Sequence, residues 1–520
     1  MLNKLLSNRL FVLYFAPFTI GALSTLSFEP FNLIIVNFLT LPIFFYLIIF
    51  INKKSKNVYR KKPFKKNFFL FGVFFGFGFY LSGISWITNS LTFDDNFKIL
   101  IPFALILIPL FLSLFTGFTV LLIGPYLKFD FVSLIIFSGG LSFSDYLRAK
   151  LFTGFPWNLW AYSASGVDEI LQILNVSGLY LYNLLTITFF TLPVIIFFKI
   201  RIIEKLFYFF ISTLIILFFY IYGNYEINKN QKLIGLNDQI IYVKIISPNF
   251  DLKYGLSQKE IEKRLINLIR YSEPDKGKKT LFIWPEGVFS GYSFEEIKIF
   301  KNLILDNFSK DHTIVFGANK LDPSSGNFFN SMFVINNNFE ILQSYDKQKL
   351  VPFGEFLPFE KLLNHLGLKK ITEGHGSFLR GNKKKILKIN EMNILPLICY
   401  EIIFTDFIQK SNDNINLIIN ISEDGWFGNS IGPDQHFVKS IFRAIESNTF
   451  LLRSTNKGVS AIIDNKGNII KKLNRNEAGN IEFDVPLIKS KKNKNDLIFF
   501  GVLITYLLIF FILRKKNAKQ

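Results

Sequence analysis

Seven apolar stretches fill the first 225 residues, near 10–26, 32–51, 68–88, 99–124, 131–147, 168–198 and 206–223, and an eighth covers 497–513. An α-helix needs about 20 such residues to cross a hydrocarbon layer of about 30 Å. Hydrocarbon offers no partner to a backbone N–H or C=O, so runs of this kind are confined to helices. Composition agrees: half the residues are hydrophobic and 17% aromatic, with a mean hydropathy of +0.32, beyond an ordinary water-soluble domain. The expected division is therefore a transmembrane domain over 1–224, a water-exposed domain over 225–496, a transmembrane helix over 497–513 and a tail over 514–520. The fifth stretch carries Asp145 and Arg148 near its end. A charge at a span centre costs about 2.5–3.5 kcal/mol, so the pair is expected at an interface or against other helices. Gly72 and Gly76 stand at the small-xxx-small spacing that lets helices approach closely.

Orientation follows from the basic loops. Lys4 and Arg9 precede the first stretch as in a signal peptide, but no small-residue cleavage site follows convincingly and more spans come after it. It is read as a retained span. Lys53, Lys54, Lys56, Arg60, Lys61, Lys62, Lys65 and Lys66 follow the second stretch, Lys128 the fourth, and Lys199, Arg201 and Lys205 the sixth. With alternating spans these share one side, which is then cytoplasmic. An odd number of spans leaves 225–496 outside the cytoplasm. The last span returns the tail, with Arg514, Lys515, Lys516 and Lys519, to the inside. Lys489, Lys491, Lys492 and Lys494 on its outer flank equal that tail in number, so the long first loop decides.

The net charge of +20 reflects either a compositional habit of Lys use or attraction to anionic headgroups. Nucleic acid is not an expected partner, because no recognition motif interleaves the basic residues. His312, His365, His375 and His436 are scattered without ligand spacing, so neither a metal nor a cofactor is expected. The loop from Thr153 to Tyr162, with Trp157 and Trp160, reads as an interfacial aromatic belt, the commoner arrangement, or as part of a lipid mouth.

From residue 225 the pattern changes. Short apolar runs bounded by turn residues predict strands at 240–246, 280–284, 313–316, 331–335, 394–398 and 416–421, with a hairpin around Asn465-Lys466-Gly467. Helical spacing predicts helices over 258–272 and 434–447. Alternating strands and helices suggest one α/β domain with a central sheet covered by helices, and functional groups gathered where strands end. Three such ends carry chemistry: Glu286 in Trp284-Pro285-Glu286-Gly287, Lys347 in Tyr345-Asp346-Lys347, and Cys399, the only cysteine. A lone Cys is often a small core residue. Together the three allow acyl transfer, with a thiolate attacking a carbonyl, a carboxylate carrying the proton and an ammonium holding the oxyanion. The ammonium lowers the thiol pKa and an ionised Glu raises it, so thiol and carboxylate share a proton.

These segments, with Leu350-Val351-Pro352-Phe353-Gly354-Glu355 and Cys399-Tyr400-Glu401, resemble the Glu–Lys–Cys pattern of the nitrilase (carbon–nitrogen hydrolase) superfamily. Further features narrow the likeness. Seven spans before the domain and one after, Gly154-Phe155-Pro156-Trp157, Asp424-Gly425-Trp426-Phe427-Gly428 with Pro433-Asp434-Gln435-His436, and Leu452-Arg453-Ser454-Thr455-Asn456 are together similar to the bacterial apolipoprotein N-acyltransferase family. The resemblance spans essentially the whole chain. It implies an αββα sandwich outside the bacterial inner membrane and a ping-pong reaction through a Cys399 thioester. The sn-1 chain of a phospholipid would pass to the α-amine of a diacylated apolipoprotein, on a protein expected to be a monomer. It also implies Glu286 as general base, Lys347 as oxyanion lysine, Glu355 as a second, structural glutamate, and Tyr400 and Glu401 as supporting residues. One departure is Tyr254, where the family usually has Trp. Tyr254 keeps an aromatic contact for substrate.

Both substrates would be lipids tethered in a bilayer, and a domain anchored at both ends stays near it. A thioester must be kept from water, so Trp426 and Phe427 read either as an apolar lid or as ordinary core aromatics. Two other readings compete. A membrane-anchored carbon–nitrogen hydrolase (amidase) would turn over small amides without needing eight spans. A transporter or receptor with an inert outer domain would bury ionisable residues mid-span, and few are present.

Overall fold

The computed structural model describes residues 7–58, 63–234, 239–253, 255–358, 377–382, 386–409, 415–490 and 495–518. The chain divides into two compact units, one of Met1–Thr88, Lys98–Tyr225 and Lys494–Gln520, the other of Asn89–Phe97 and Glu226–Asn493.

The first unit is helical, and a helix covers each of the eight expected stretches. α1 (Ala16–Ser24), α2 (Asn37–Val58), α3 (Pro63–Ile84), α4 (Ile101–Ile123), α5 (Phe131–Lys150), α6 (Asp168–Leu171), α7 (Leu174–Thr191), α8 (Ile202–Ile234) and the C-terminal Asn495–Ala518 follow in order. Among the described residues, six helices are long and apolar enough to cross a membrane, while Phe11–Ser27 is shorter. The stretch expected as one span over 168–198 is broken. α6 is a separate turn, and Gly178 interrupts α7 with φ 69°, a left-handed geometry that glycine adopts without steric cost.

The glycine spacing does what small residues allow. A Cβ on Gly72 would lie 2.8 Å from the Thr116 carbonyl, and one on Gly76 2.9 Å from Ser113 Cα, so α3 and α4 pack backbone to backbone. Asp145 and Arg148 face other helices. They pair at 2.9 Å, Asn183 of α7 donates to Asp145 at 3.0 Å, and Arg148 lies over the Tyr80 ring. Arg148 also donates to the Phe155 and Asn158 carbonyls, pinning the loop after α5. Trp157 and Trp160 in that loop are buried, Trp157 tilted against Trp86 and Trp160 stacked on Phe79. The aromatic-belt expectation is thereby corrected: the sequence pattern reports aromatic content, not which way the rings point.

Among the described residues, the second unit holds two six-stranded sheets. One runs β12-β1-β2-β3-β4-β5 and the other β11-β10-β9-β8-β7-β6. Their strands are β1 (Ile240–Ser247), β2 (Thr280–Ile283), β3 (His312–Leu321), β4 (Phe328–Ile335), β5 (Ile341–Asp346), β6 (Leu387–Ile389), β7 (Met392–Ile398), β8 (Leu417–Glu423), β9 (Leu451–Asn456), β10 (Ser460–Ile463), β11 (Ile469–Leu473) and β12 (Gly479–Pro486). The single central sheet expected from strand–helix alternation is thus replaced by two, as the family resemblance implied. The physical reason is visible in β2. Leu281 and Ile283 join a core shared with Ile394, Ile398, Ile419 and Leu452 of the second sheet, while Phe282 and Trp284 point the other way into helices. A strand buried on both faces reads as a continuous apolar run, so alternation cannot distinguish sheet-on-helix from sheet-on-sheet.

α9 (Gln258–Ser272) covers the first sheet with Ile261, Leu265, Leu268 and Ile269. Ser257 and Glu260 form its capping box, satisfying two orphan backbone donors. Trp284 Nε1 donates to Ser272 Oγ at 2.9 Å, tying the end of α9 to the end of β2. α10 (Phe294–Ile297) and α11 (Lys301–Asn307) complete that layer. α12 (Asp406–Gln409) and α13 (Gly432–Ser447) lie on the second sheet's side, and α14 is the C-terminal helix Asn495–Ala518.

Candidate active site

β1, β2 and β3 run parallel, as do β7, β8 and β9. Polar residues placed just after these apolar runs therefore collect at one end of the sandwich, the place where open α/β sheets leave room for a ligand. β2 delivers Glu286 after the Trp284-Pro285 turn. β5 delivers Lys347, whose N–H donates to the Asn330 carbonyl at 2.8 Å. β7 delivers Cys399.

The structure brings Glu286, Lys347, Glu355 and Cys399 together. Lys347 is 1% exposed. Its Nζ donates to Glu355 Oε1 at 2.9 Å and lies 3.3 Å from Glu286 Oε1. Burial alone would push its pKa down, but Glu286, Glu355 and Cys399 outweigh burial and hold it well above the usual lysine range. It is a fixed ammonium at any ordinary pH. Glu286 is held on both oxygens, Oε1 by Asn330 Nδ2 at 2.7 Å and Oε2 by the Glu423 N–H at 3.1 Å. Asn330 Nδ2 also donates to Glu355 Oε1 at 2.7 Å, and the Val351 N–H donates to Glu355 Oε2 at 2.8 Å. Glu355 thus orients the lysine and spans its own loop.

Cys399 stands at the junction of β7 and a short 3-10 turn, Cys399–Ile403, with φ +47°. A non-glycine residue in this region is strained, and such strain persists only where the surroundings dictate it. The thiol is half-buried against the inter-sheet core. Burial raises its pKa most, Glu286 adds to that, Lys347 opposes it, and the net result is well above the ordinary thiol value. The resting group is a thiol, and a base must take its proton before sulfur can attack.

Glu401 is buried completely and acts as a clamp. Its Oε1 accepts from Tyr345 Oη at 2.8 Å and from the Gln348 and Lys349 N–H groups at 2.7 and 3.1 Å. Its Oε2 accepts from the Ile398 N–H at 2.9 Å. One carboxylate therefore ties the residue before Cys399 to the two residues after Lys347. Burial raises its pKa to about 7 against the pull of these backbone donors. Tyr400 is buried, edge-on to Phe404 at 5.1 Å.

Trp426 and Phe427 are half-buried. Trp426 meets the edge of Phe93, and the Phe427 carbonyl accepts from Asn89 Nδ2 at 2.7 Å. The Phe427 ring lies 5.3 Å from that of His436. Tyr254 lies outside the described residues. Sequence reasoning missed Asn330 and Glu423. The signal for Asn330 was the polar pair Asn330-Ser331 within an otherwise apolar strand. For Glu423 it was the acidic pair ending β8. Burial pushes Glu423 up to about 8, although Asn456 and the Gly425 N–H pull it down. Among the described residues, no group of three or more His, Cys, Asp or Glu side chains is placed to hold a metal ion.

Comparison with known proteins points the same way as this geometry. The apolipoprotein N-acyltransferase N-terminal domain family matches residues 20–192, and the carbon-nitrogen hydrolase family matches residues 257–492. An apolipoprotein N-acyltransferase of Rickettsia typhi is 32% identical over 511 residues, covering 95% of this chain and 96% of the relative. One from Rhodopseudomonas palustris is 31% identical over 484 residues, covering 90% and 88%. A carbon-nitrogen hydrolase from Helicobacter pylori G27, solved as a crystal structure, aligns with 48% of this chain and 90% of its own, at 14% identity and a TM-score of 0.36.

Proposed function

The chain belongs to the apolipoprotein N-acyltransferase family, and from that premise we propose that it carries an acyl chain from a phospholipid to the amino terminus of a diacylated apolipoprotein. The observation that carries this reading is the buried Lys347 ammonium shared between Glu286 and Glu355 and acting on Cys399.

In the first half-reaction the Glu286 carboxylate takes the Cys399 proton. Sulfur attacks the sn-1 ester carbonyl, and Lys347 Nζ donates to the resulting oxyanion. The tetrahedral adduct expels the glycerol oxygen, which takes the proton from Glu286 and leaves as lysophospholipid. In the second, the α-amine of the diacylglyceryl-cysteine attacks the thioester and gives its proton to Glu286. Sulfur leaves and recovers that proton. One carboxyl serves both steps because it begins and ends each ionised. A fixed ammonium beside it stabilises charge that exists only in the adduct, which is what lowers the barrier.

Glu355 and Asn330 position Lys347 and Glu286, and Glu401 positions the loop. Trp426 and Phe427 take the part of an apolar screen against water. Tyr254 makes an aromatic contact to substrate. The basic loops support a catalytic domain outside the cytoplasm of the bacterial inner membrane, where both lipid substrates would be tethered, in a protein acting as a monomer.

The test supplies the detergent-solubilised chain with labelled phospholipid and then with a diacylated lipopeptide. The expected result is lysophospholipid release in both stages and label in the lipopeptide only after the second addition. Phospholipid left intact, together with ammonia released from simple amides, would replace this reading with that of an anchored amidase.

A further inference from the structure

Within the helical unit the C-terminal helix α14 is fastened to α5 at both ends. Arg514 donates to Asp130 at 2.8 Å, and Lys150 lies 3.9 Å from Asp496. α4 and α14 both pack on α5, and between them they leave a groove of about 670 Å³ whose lining is apolar almost throughout. Gly139 and Gly140 of α5 line it without side chains. A Cβ on Gly139 would lie 3.3 Å from Leu503 Cδ1, and one on Gly140 3.2 Å from Ile123 Cδ1, so α14 and α4 close directly on α5 at that level. Only 11% of the apolar window of α14 and 22% of that of α4 are buried, so the groove opens on the face that meets lipid.

Its length and its mouth both select an occupant. From Phe111, whose ring meets that of Phe152, the groove follows α4 to Leu122, a run of about 17 Å. That is roughly half of a hydrocarbon core of about 30 Å, the depth reached by the acyl chains of one leaflet. The Lys150–Asp496 pair stands at the Phe152 end. Lys150 is one turn beyond Leu147 and Asp496 one turn before Phe500, and residues a turn apart share a helix face. The two are partly exposed, 23% and 33%, and the Lys150 ammonium lies 5.3 Å from the centroids of the Tyr146 and Tyr180 rings. A cation and an anion thus sit side by side above an apolar trough. A purely anionic headgroup would meet the Asp496 charge. A zwitterionic one matches both, and its cation needs N–H groups to bond the carboxylate.

We propose that this groove binds one membrane phospholipid, with an acyl chain in the trough and a zwitterionic headgroup bearing a primary ammonium at the mouth, its phosphate on Lys150 and its ammonium on Asp496. The headgroup replaces one long ionic contact by two charge-assisted hydrogen bonds. The chain packs against both α4 and α14, and so secures the last helix to the bundle by van der Waals contact, the main attraction available between helices in lipid. The proposal does not depend on the acyl-transfer reading of Cys399.

The test uses the full-length chain, delipidated in detergent micelles and carrying Cys399→Ala so that added lipid is weighed intact. Native mass spectrometry counts the lipid retained as phosphatidylethanolamine, phosphatidylcholine or phosphatidylglycerol with identical chains is titrated in. The expected result is one phosphatidylethanolamine per chain, held about tenfold more tightly than phosphatidylcholine, whose quaternary ammonium has no N–H, and more tightly than phosphatidylglycerol. Its binding raises the melting temperature. Lys150→Gln weakens phosphatidylethanolamine about tenfold, as for one charge-assisted hydrogen bond. Asp496→Ala weakens phosphatidylethanolamine but not phosphatidylglycerol, so the preference between them is lost or reversed. Leu507→Trp and Leu122→Trp fill the far end of the groove from exposed positions and weaken all three lipids. Should Leu507→Trp fail to fold, Leu122→Trp decides alone. Equal binding of the three lipids to the parent protein would leave only an unselective annular chain, and retention unchanged by Leu122→Trp would put the lipid elsewhere; either overturns the proposal. A dimer that the Trp variants break, in place of a lipid-bound monomer, would seat a second copy in the groove and overturn it as well.

Discussion

Glu401→Gln probes the clamp between the nucleophile and the lysine loop. The carboxylate accepts four hydrogen bonds, three on Oε1 and one on Oε2. An amide can accept only on its oxygen. If that oxygen keeps Tyr345, Gln348 and Lys349, its NH2 group faces the Ile398 N–H, and a buried backbone donor is left without a partner. That costs about 1–3 kcal/mol. The size of the defect depends on pH. The folded pKa of Glu401, about 7, lies above the ordinary glutamate value of 4.5. The folded state therefore binds more protons between these values, and the wild type loses stability as pH rises through that window. Glutamine does not titrate. The gap between the two proteins is therefore largest below about pH 4 and narrows by about 3 kcal/mol by pH 8. Thermal unfolding of both proteins in detergent at the two pH values measures it. A gap that widens with pH would show that Glu401 is stabilised as a carboxylate and would refute the reasoning. In parallel, acyl-enzyme formation drops by about 10-fold or more, because small displacements of Lys347 relative to Cys399 are costly in rate.

Other outcomes follow from the same contacts. Lys347→Met removes the oxyanion donor and leaves Glu286 and Glu355 facing each other; acyl-enzyme formation falls by about 10²–10³ in single-turnover assays, and Lys347→Arg does not restore it, since the planar fork does not fit the ammonium's place. Asn330→Leu removes the donor shared by the two glutamates; the acylation rate falls about 10-fold with little change in the donor concentration for half-saturation, because Asn330 orients the base and does not touch lipid. Asp424, raised by burial but held by Arg453 and His436 at about 2 against an ordinary aspartate value of 3.8, contributes about 2 kcal/mol above pH 4 that is lost as pH falls through 2; Asp424→Asn therefore flattens the acid limb of the unfolding profile.

Much of the site could be read from residue order. Glu286 and Cys399 follow apolar runs, Lys347 follows the mixed strand β5, and the chain leaves a strand at each. Parallel strands then carry those ends to one side. The helix over 258–272 was legible because its apolar residues recur at the 3.6-residue period and Ser257 and Glu260 cap it. The second sheet was not, because β2 and β7 are buried on both faces and lose the alternation that marks a half-exposed strand. β9 escaped notice as a strand for the opposite reason. Leu451–Asn456 is wholly buried yet carries Arg453, Ser454, Thr455 and Asn456, and only the pairing of Arg453 with Asp424 accounts for a charge there. Asn330 belongs to no spacing motif. It matters through Glu286 and Glu355, which other segments bring to it and the linear chain does not display.

The central claim is that Cys399 carries the acyl chain. Intact-mass measurement after incubating the purified chain with a phospholipid of defined acyl composition tests it most directly. The account predicts a mass increase of one acyl group, mapped to the peptide bearing Cys399, removed by hydroxylamine and absent in Cys399→Ala. An adduct on any other residue, or lipopeptide acylated by the Cys399→Ala protein, would contradict it.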